Sequence, residues 1–394
     1  MRLPTTTRAG WLATTCFLVC SAPAAYAFDP PAPIKIDGGP LGDLQLSGGA
    51  DGFGWAMTGT ADGSLNGAHS TGVEFMNGIV EVQKTDGLVQ GTLIVGAANN
   101  FVLGYAPHGA SIQSFQTGPV YNAYLTLAPS PNFTISAGHV GSLEGYESGL
   151  DWNNFNVLTT DMFNVENSQS MGVSATATFG PVSGTITFGD GFDTQVWNYL
   201  QLSATYTIDP NNVLTLFGAT NLGVTHSGAH VYGSSTTPYT KSFVGFGPGS
   251  AAPFVNSSEA GAYYSFTMGN LNIVPEAQYT WTAKTPSVGL FDYSSNFGAA
   301  VFANYKFGDS PYSLGGWVQY FTSNGSDNWF LNPGAQGYGL SITPTWQGKN
   351  LFVRGDVGYQ HLTKISNTGV PSGYNSDFKG RDQATFLIEA GVLF

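Results

Sequence analysis

Charge is what this sequence has least of. Asp, Glu, Lys and Arg make up 9 % of its 394 residues, against ~25 % in an ordinary soluble domain. A soluble surface of this size would be poorly covered by so few charges. Bases are scarcer than acids, 12 against 25, which argues against DNA or RNA as a partner. The two cysteines, Cys16 and Cys20, sit close to the N-terminus. Beyond residue 27 no segment reaches the about 18 consecutive apolar residues that a membrane helix needs. Catalytic signatures are missing too: there is no Gly-x-Ser-x-Gly elbow, no His-Glu-x-x-His helix and no phosphate loop. His139 with Glu144 is the least poor candidate pair for acid–base work. His226 and His230 stand four apart in a link that does not read as helical. Neither pair leads to an expected enzyme, metal or cofactor site.

Residues 1–27 read as a secretory signal. Arg2 and Arg8 precede an apolar run from Trp11 through Val19, and Ala25-Tyr26-Ala27 fits a small-x-small cleavage site. The mature chain then begins near Phe28 and contains neither cysteine, so it has no disulfide or thiol chemistry. Loss of Arg2 and Arg8 leaves 10 bases against 25 acids, a net charge near -15. Residues 28–42, with Pro30, Pro31, Pro33 and Pro40, read as a Pro/Gly-rich leader. The remaining 43–394 are expected to form one body.

What the sequence has in abundance is glycine (53), Phe (27) and Tyr (19), with a neutral mean hydropathy of -0.01. Period-2 segments run through it. Leu200, Leu202, Ala204, Tyr206 and Ile208 alternate with Gln201, Ser203, Thr205 and Thr207. In the last eleven residues Phe386, Ile388, Ala390, Val392 and Phe394 share one face, opposite Leu387, Glu389 and Leu393. Each such segment is a strand with an apolar face. Strands are predicted at 43–59, 73–84, 88–98, 117–128, 132–140, 169–180, 182–190, 199–208, 212–220, 259–269, 271–283, 296–307, 311–323, 337–347, 350–363 and 384–394.

Alternation alone suits a soluble sandwich or a membrane barrel. The links separate the two. After every even strand the link is turn-like, as in Thr85-Asp86-Gly87, Gly180-Pro181 and Gly269-Asn270. After odd strands the links are mostly longer: 60–72, 99–116, 141–168, 191–198, 221–258, 284–295, 324–336 and 364–383. Tight turns at one rim and long loops at the other are what a transmembrane β-barrel requires. The fold class is therefore all-β, a transmembrane antiparallel barrel of about 16 strands. Tyr121, Tyr206, Tyr279, Tyr305, Tyr312 and Trp346 fall on the apolar side near strand ends, as an aromatic belt would.

Three stretches resemble a known family. They are Tyr121-Asn122-Ala123-Tyr124-Leu125-Thr126-Leu127 leading into Phe133-Thr134-Ile135-Ser136-Ala137-Gly138-His139; Glu144-Gly145-Tyr146-Glu147 with Asn164 through Met171; and the aromatic C-terminal strand. Together they resemble the OmpL-like outer-membrane barrels of the beta-barrel porin-2 family, whose members often carry lysine where this chain has His139. The resemblance implies a location in the outer membrane of a Gram-negative bacterium, with that membrane's lipid around the barrel. It also implies recognition of Phe394 by the barrel-assembly machinery and passive diffusion of small hydrophilic solutes. Three barrels about one axis are usual for sixteen-stranded porins, so it points to a homotrimer, although no strand shows a distinct interface face.

Selectivity in a water-filled barrel depends on the narrowest ring of charges. In similar sixteen-stranded porins the third external loop commonly folds into the lumen, which makes the link 141–168 the candidate. It carries Glu144, Glu147, Asp151, Asp161 and Glu166 without a Lys or Arg. Folded inward it favours cations; left outside it is an ordinary solvated loop. Strand parity directs Glu276, Lys306, Arg354, Asp356 and Glu389 to the polar face. Arg354 and Asp356 are expected beside Glu389, either as a charged patch opposite the acidic loop or as groups that satisfy one another. A diffusion channel is the leading reading. A plugged or narrow barrel with a structural or surface-attachment role is the alternative, and filling of the lumen by 28–42 or 141–168 would favour it.

Overall fold

Sixteen antiparallel strands close on themselves. The computed structural model describes residues 29–60, 70–102, 118–167, 169–226, 230–231, 240–241, 252–325, 334–365, 373–375, 377 and 379–394. The predicted signal and its cleavage site lie outside them, as do His69, His108 and much of the link 221–258. Each predicted strand is found, with ends displaced by three residues at most. The barrel strands are Asp43–Met57, Thr71–Lys84, Val89–Ala97, Val120–Ser130, Phe133–Gly141, Gln169–Phe179, Val182–Asp190, Trp197–Asp209, Asn212–Asn221, Ser257–Met268, Leu271–Thr282, Ser294–Lys306, Tyr312–Asn324, Gln336–Gln347, Leu351–Lys364 and Asp382–Leu393. Each pairs with its neighbours in sequence. The seam joins last to first, in register from Gly49 opposite Leu393 to Met57 opposite Thr385. Closure leaves no open edge, as spanning lipid demands.

The alternation sorts side chains as the sequence predicts. Phe386, Ile388 and Val392 are exposed on the outside, while Leu387 and Glu389 are wholly buried within. Ile186, Leu202, Leu216, Val301, Val318, Ile342 and Val357 continue the outer apolar band, which lipid covers. On the inner wall hydroxyls pair across strands: Thr126 with Ser136 at 2.7 Å, Thr187 with Ser174 at 2.9 Å, and Thr205 with Thr215 at 3.0 Å. Such pairs satisfy one another while remaining compatible with water.

Two local departures have physical causes. Tyr121, expected in the lipid-facing belt, turns inward and packs on the inner apolar cluster. A bulge explains it, since the register passes from Ile94 opposite Asn122 to Val95 opposite Val120. The residue left between them is re-aimed. The leader also contains a strand. Ile34–Asp37 pairs with Leu46 through Asp43, on the edge of the first strand that the last strand occupies further along. The chain before it follows the short-turn rim, where the Asp29 amide donates to Gln347 Oε1 at 2.9 Å and its carboxylate pairs with Lys306.

Candidate functional site: an acidic loop inside the barrel

The third long link runs from Gly141 to Gln169 and lies within the lumen. Its backbone is fastened to inward-facing side chains of the wall. Val157 and Leu158 donate their amides to Asp356 Oδ2 at 2.9 and 3.0 Å. The Asp161 amide donates to Gln319 Oε1 at 2.9 Å, and the Trp317 indole donates to Leu158 O at 2.8 Å. Asn156 reaches Ser341 and Thr343. Successive anchors thus lie on four of the wall strands, Leu271–Thr282 included through Gln278 to Met162 O. A loop with only short helical turns and a two-residue ladder needs such partners for its remaining buried amides.

Apolar side chains travel inward with the loop. Trp152, Phe155, Val157, Leu158 and Met162 bury against Phe53, Met76, Trp317, Phe321, Phe352 and Leu387 of the wall. Leu158–Thr159 also forms a short parallel ladder with Phe101–Val102 of the preceding link. Gly315 permits the approach, because a Cβ there would meet Phe155 O at 2.2 Å.

Each predicted site residue can now be placed. Arg354 is wholly buried and donates from Nε to Glu389 Oε2 at 2.7 Å. Its Nη1 reaches the Asp151 and Asn154 carbonyls at 3.2 and 3.3 Å, and its Nη2 pairs with the Asp151 carboxylate. Asp356 is tied to the loop amides and to Thr343. The alternative of a charged patch opposite the acidic loop is therefore corrected: Asp151 of that loop is itself bound to Arg354. The wall cation and the loop acid meet because the guanidinium, taken out of water, needs paired oxygens on every side.

Glu144 accepts from the Asn167 amide and the Tyr199 hydroxyl, both at 2.8 Å. Glu147 accepts from the Thr160 amide. Asp161 accepts from Gln319 at 2.7 Å and from Gln360. Burial dominates these bonds and pushes Glu144 and Glu147 up to about 7 and Asp161 up to about 8. The Glu166 carboxylate rests against Gly145, and Glu276 faces inward from the wall. Lys306 stands apart from all of these. It ends its strand at the short-turn rim and pairs with Asp29, so it is not part of the ring.

Sequence reasoning missed several neighbours. Asp51 and Asn77 join Asp151, with the Asn77 amide donating to Asp51 Oδ1 at 2.9 Å. Asp51 faces Asn77 and Gly52 faces Phe75, so the extra residue Met76 bulges the second strand and hid the parity of Asn77, while Asp51 sits in a Gly-rich first strand. Glu259 was legible in principle, because it lies two and four residues before the inward Gly261 and Tyr263, but it opened its predicted strand.

A closed sixteen-strand barrel with an inward third loop defines the porin class of outer-membrane protein. The family described as putative beta-barrel porin-2, OmpL-like, matches residues 44–394, and the chain belongs to that family. Its location is the outer membrane. No curated protein matches the sequence. Among solved structures, the anion-selective porin of Comamonas acidovorans is similar at TM-score 0.61, with 10 % identity over 89 % of this chain and 99 % of that one. OmpT of Vibrio cholerae gives 0.58, with 11 % identity over 90 % and 98 %. The channel DcaP of Acinetobacter baumannii gives 0.56, with 12 % identity over 89 % and 97 %. At these identities the likeness is one of fold.

Proposed function

We propose that this protein is a passive channel for small hydrophilic solutes with a preference for cations. The carrying observation is the inward link 142–168, whose charged side chains are all acidic. Field lines from buried carboxylates are focused in a low-dielectric wall, so they act on any ion passing beside the loop. Arg354 does not oppose this field, because Asp151 and Glu389 already hold it. Belonging to the family supports the coarser reading, an outer-membrane channel. The charge of the loop supports the finer one.

The test is a reversal potential across a planar bilayer in a KCl gradient. Wild type is expected to favour K+ over Cl-, and Glu144→Gln with Glu147→Gln should move the potential toward zero. A wild type that favours Cl- would overturn the preference. A second reading is favoured by the apolar contacts between loop and wall, since they fill part of the lumen: a plugged barrel with a structural or attachment role. A folded, heat-modifiable barrel with no conductance would select it. Under either reading we take 1–27 as a removed signal, Phe394 as the signal for assembly, and a trimer as the assembled form.

A further inference from the structure

The inner wall is covered on one side and open on the other. From Leu271–Thr282 round to Asp382–Leu393 the inward side chains are mostly buried, among them Val274, Trp317, Thr343, Arg354 and Leu387, because the loop is fastened there. On the first six strands the inward residues nearer the short turns are half-exposed: Gln45, Ser47, Glu81, Gln83, Thr92 and Ser136. Register fixes their direction. Ser47 stands opposite Glu81, Gln83 opposite both Gln45 and Thr92, and Thr126 opposite Ser136. One residue away in each strand, Val80, Leu93, Leu125 and Ile135 are exposed on the outer face. Among the described residues, the space left in this half of the lumen therefore lies against the first six strands.

That open wall carries hardly any charge. The strands Val89–Ala97, Val120–Ser130, Phe133–Gly141 and Gln169–Phe179 contain no Asp, Glu, Lys or Arg. On the two strands before them, Asp51 is buried against Asn77. Asp43 stands at the short-turn end, and Glu74 lies toward the other rim, opposite Phe53. Lys84 ends its strand and pairs with Asp86 of the turn. Glu81 is what remains. Ser47 Oγ donates to its Oε2 at 3.3 Å, and Gln83 Nε2 donates to its Oε1 at 2.6 Å. Neutral donors thus hold the carboxylate in place, one on each oxygen, and among the described residues no base pairs with it. A carboxylate oxygen accepts more than one bond, so both keep capacity for a passing cation.

Position separates Glu81 from the loop acids. The loop reaches this strand at Asn77, through Asp151, and Glu81 lies four residues further toward the short turns. Glu389, by contrast, spends its charge on Arg354. We propose that solutes pass along the first six strands and that Glu81 is a second charge filter on that path, beyond the acidic loop on the short-turn side. A lone carboxylate among amides and hydroxyls draws K+ toward the wall and repels Cl-, with no neighbouring cation to cancel its field. This site rests on the channel reading and extends it from the loop to the wall.

The test is the reversal potential of the full chain in a planar bilayer under a KCl gradient, at mean salt of about 0.1 M and about 1 M. Glu81→Gln keeps the size of the side chain and should lower the K+/Cl- permeability ratio about two- to fivefold at the lower salt. Glu81→Lys should move the potential further toward that of Cl-. Both shifts should shrink at the higher salt, where the screening length falls from about 10 Å to about 3 Å; an altered packing alone would not respond in this way. Asp309→Asn, in an exposed turn of the same rim, should leave the potential as in wild type. Thr92→Cys, opposite Gln83 on the wall, should let a trimethylammonium-bearing methanethiosulfonate reduce the conductance. A conducting wild type whose potential Glu81→Gln leaves in place overturns the proposal, as does an equal shift in Asp309→Asn or a Thr92→Cys channel that the reagent leaves unchanged. A wild type that favours Cl- overturns the cation preference alone if Glu81→Gln still shifts the potential toward Cl-, and a folded barrel without conductance overturns both. Heat-modifiable migration verifies that each variant is folded.

Discussion

Arg354 sits between an acid of the inward loop and an acid of the wall. Its guanidinium has left water entirely, and it is held by Glu389, Asp151 and two loop carbonyls. Replacing one member of such a group leaves the others charged and unpaired. Arg354→Met is therefore expected to cost about 3–5 kcal/mol, read as a lower midpoint of denaturant unfolding in detergent. Glu389→Gln should cost less, because Asp151 still balances the arginine. The loop acids yield a pH effect of defined sign. Burial raises Glu144 and Glu147 to about 7 and Asp161 to about 8, so the folded loop binds protons that the unfolded chain releases. Stability from these groups is thus fully present at low pH and is lost as pH rises through 7 and 8. Their negative charge grows over the same interval. Preference for K+ should be stronger at pH 9 than at pH 6, with a lower melting temperature; a preference that weakens with rising pH would contradict this. The inward faces of Arg354, Asp356 and Glu389 were legible because period 2 leaves a side chain only two directions. Glu389 as a neighbour of Arg354 was legible too, whereas its loop partner Asp151 was not. Which loop acid arrives there depends on the path of the link, and periodicity does not describe a link.

At the scale of elements, the strands were legible and the loop only in part. Each strand announces itself through alternation and through the turn that follows it, whereas 142–168 has neither helix nor strand period to read. Its acidity was visible, and its apolar content, Trp152 through Met162, is what anchors it inside. Bulges set the other limit. Tyr121 and Asn77 were misread or overlooked because one extra residue in a strand reverses parity beyond it. The loop in turn depends on glycine in the wall. Gly315→Val puts a branched side chain where Phe155 O now sits, so the loop must move away from its strand. Overpacking of this kind costs about 1–3 kcal/mol. Single-channel conductance should rise above wild type as the loop withdraws, and an unchanged conductance would show that the loop does not limit flow.

The whole barrel was legible because composition and connectivity agreed: few charges, one apolar face per strand, and links that alternate in length through the entire chain. A sandwich shares the first two but has no reason for the third. Phe394 belongs to this scale, since its backbone exchanges hydrogen bonds with Gly48 at 2.9 and 3.0 Å where the cylinder closes. Phe394→Ser keeps both bonds. It should slow insertion in cells, followed by pulse-chase, while leaving the melting temperature of the purified barrel nearly unchanged.

The short strand Ile34–Asp37 bears on how the cylinder finds its final alignment. It occupies the edge of the first strand from Asp43 to Leu46, and Phe394 pairs next to it, at Gly48. The closing strand thus runs along that edge up to the segment held by the leader. Sliding by two residues would put Phe394 opposite Leu46, where Ile34 pairs. In the folded barrel the leader strand therefore bounds the stretch of that edge open to the closing strand.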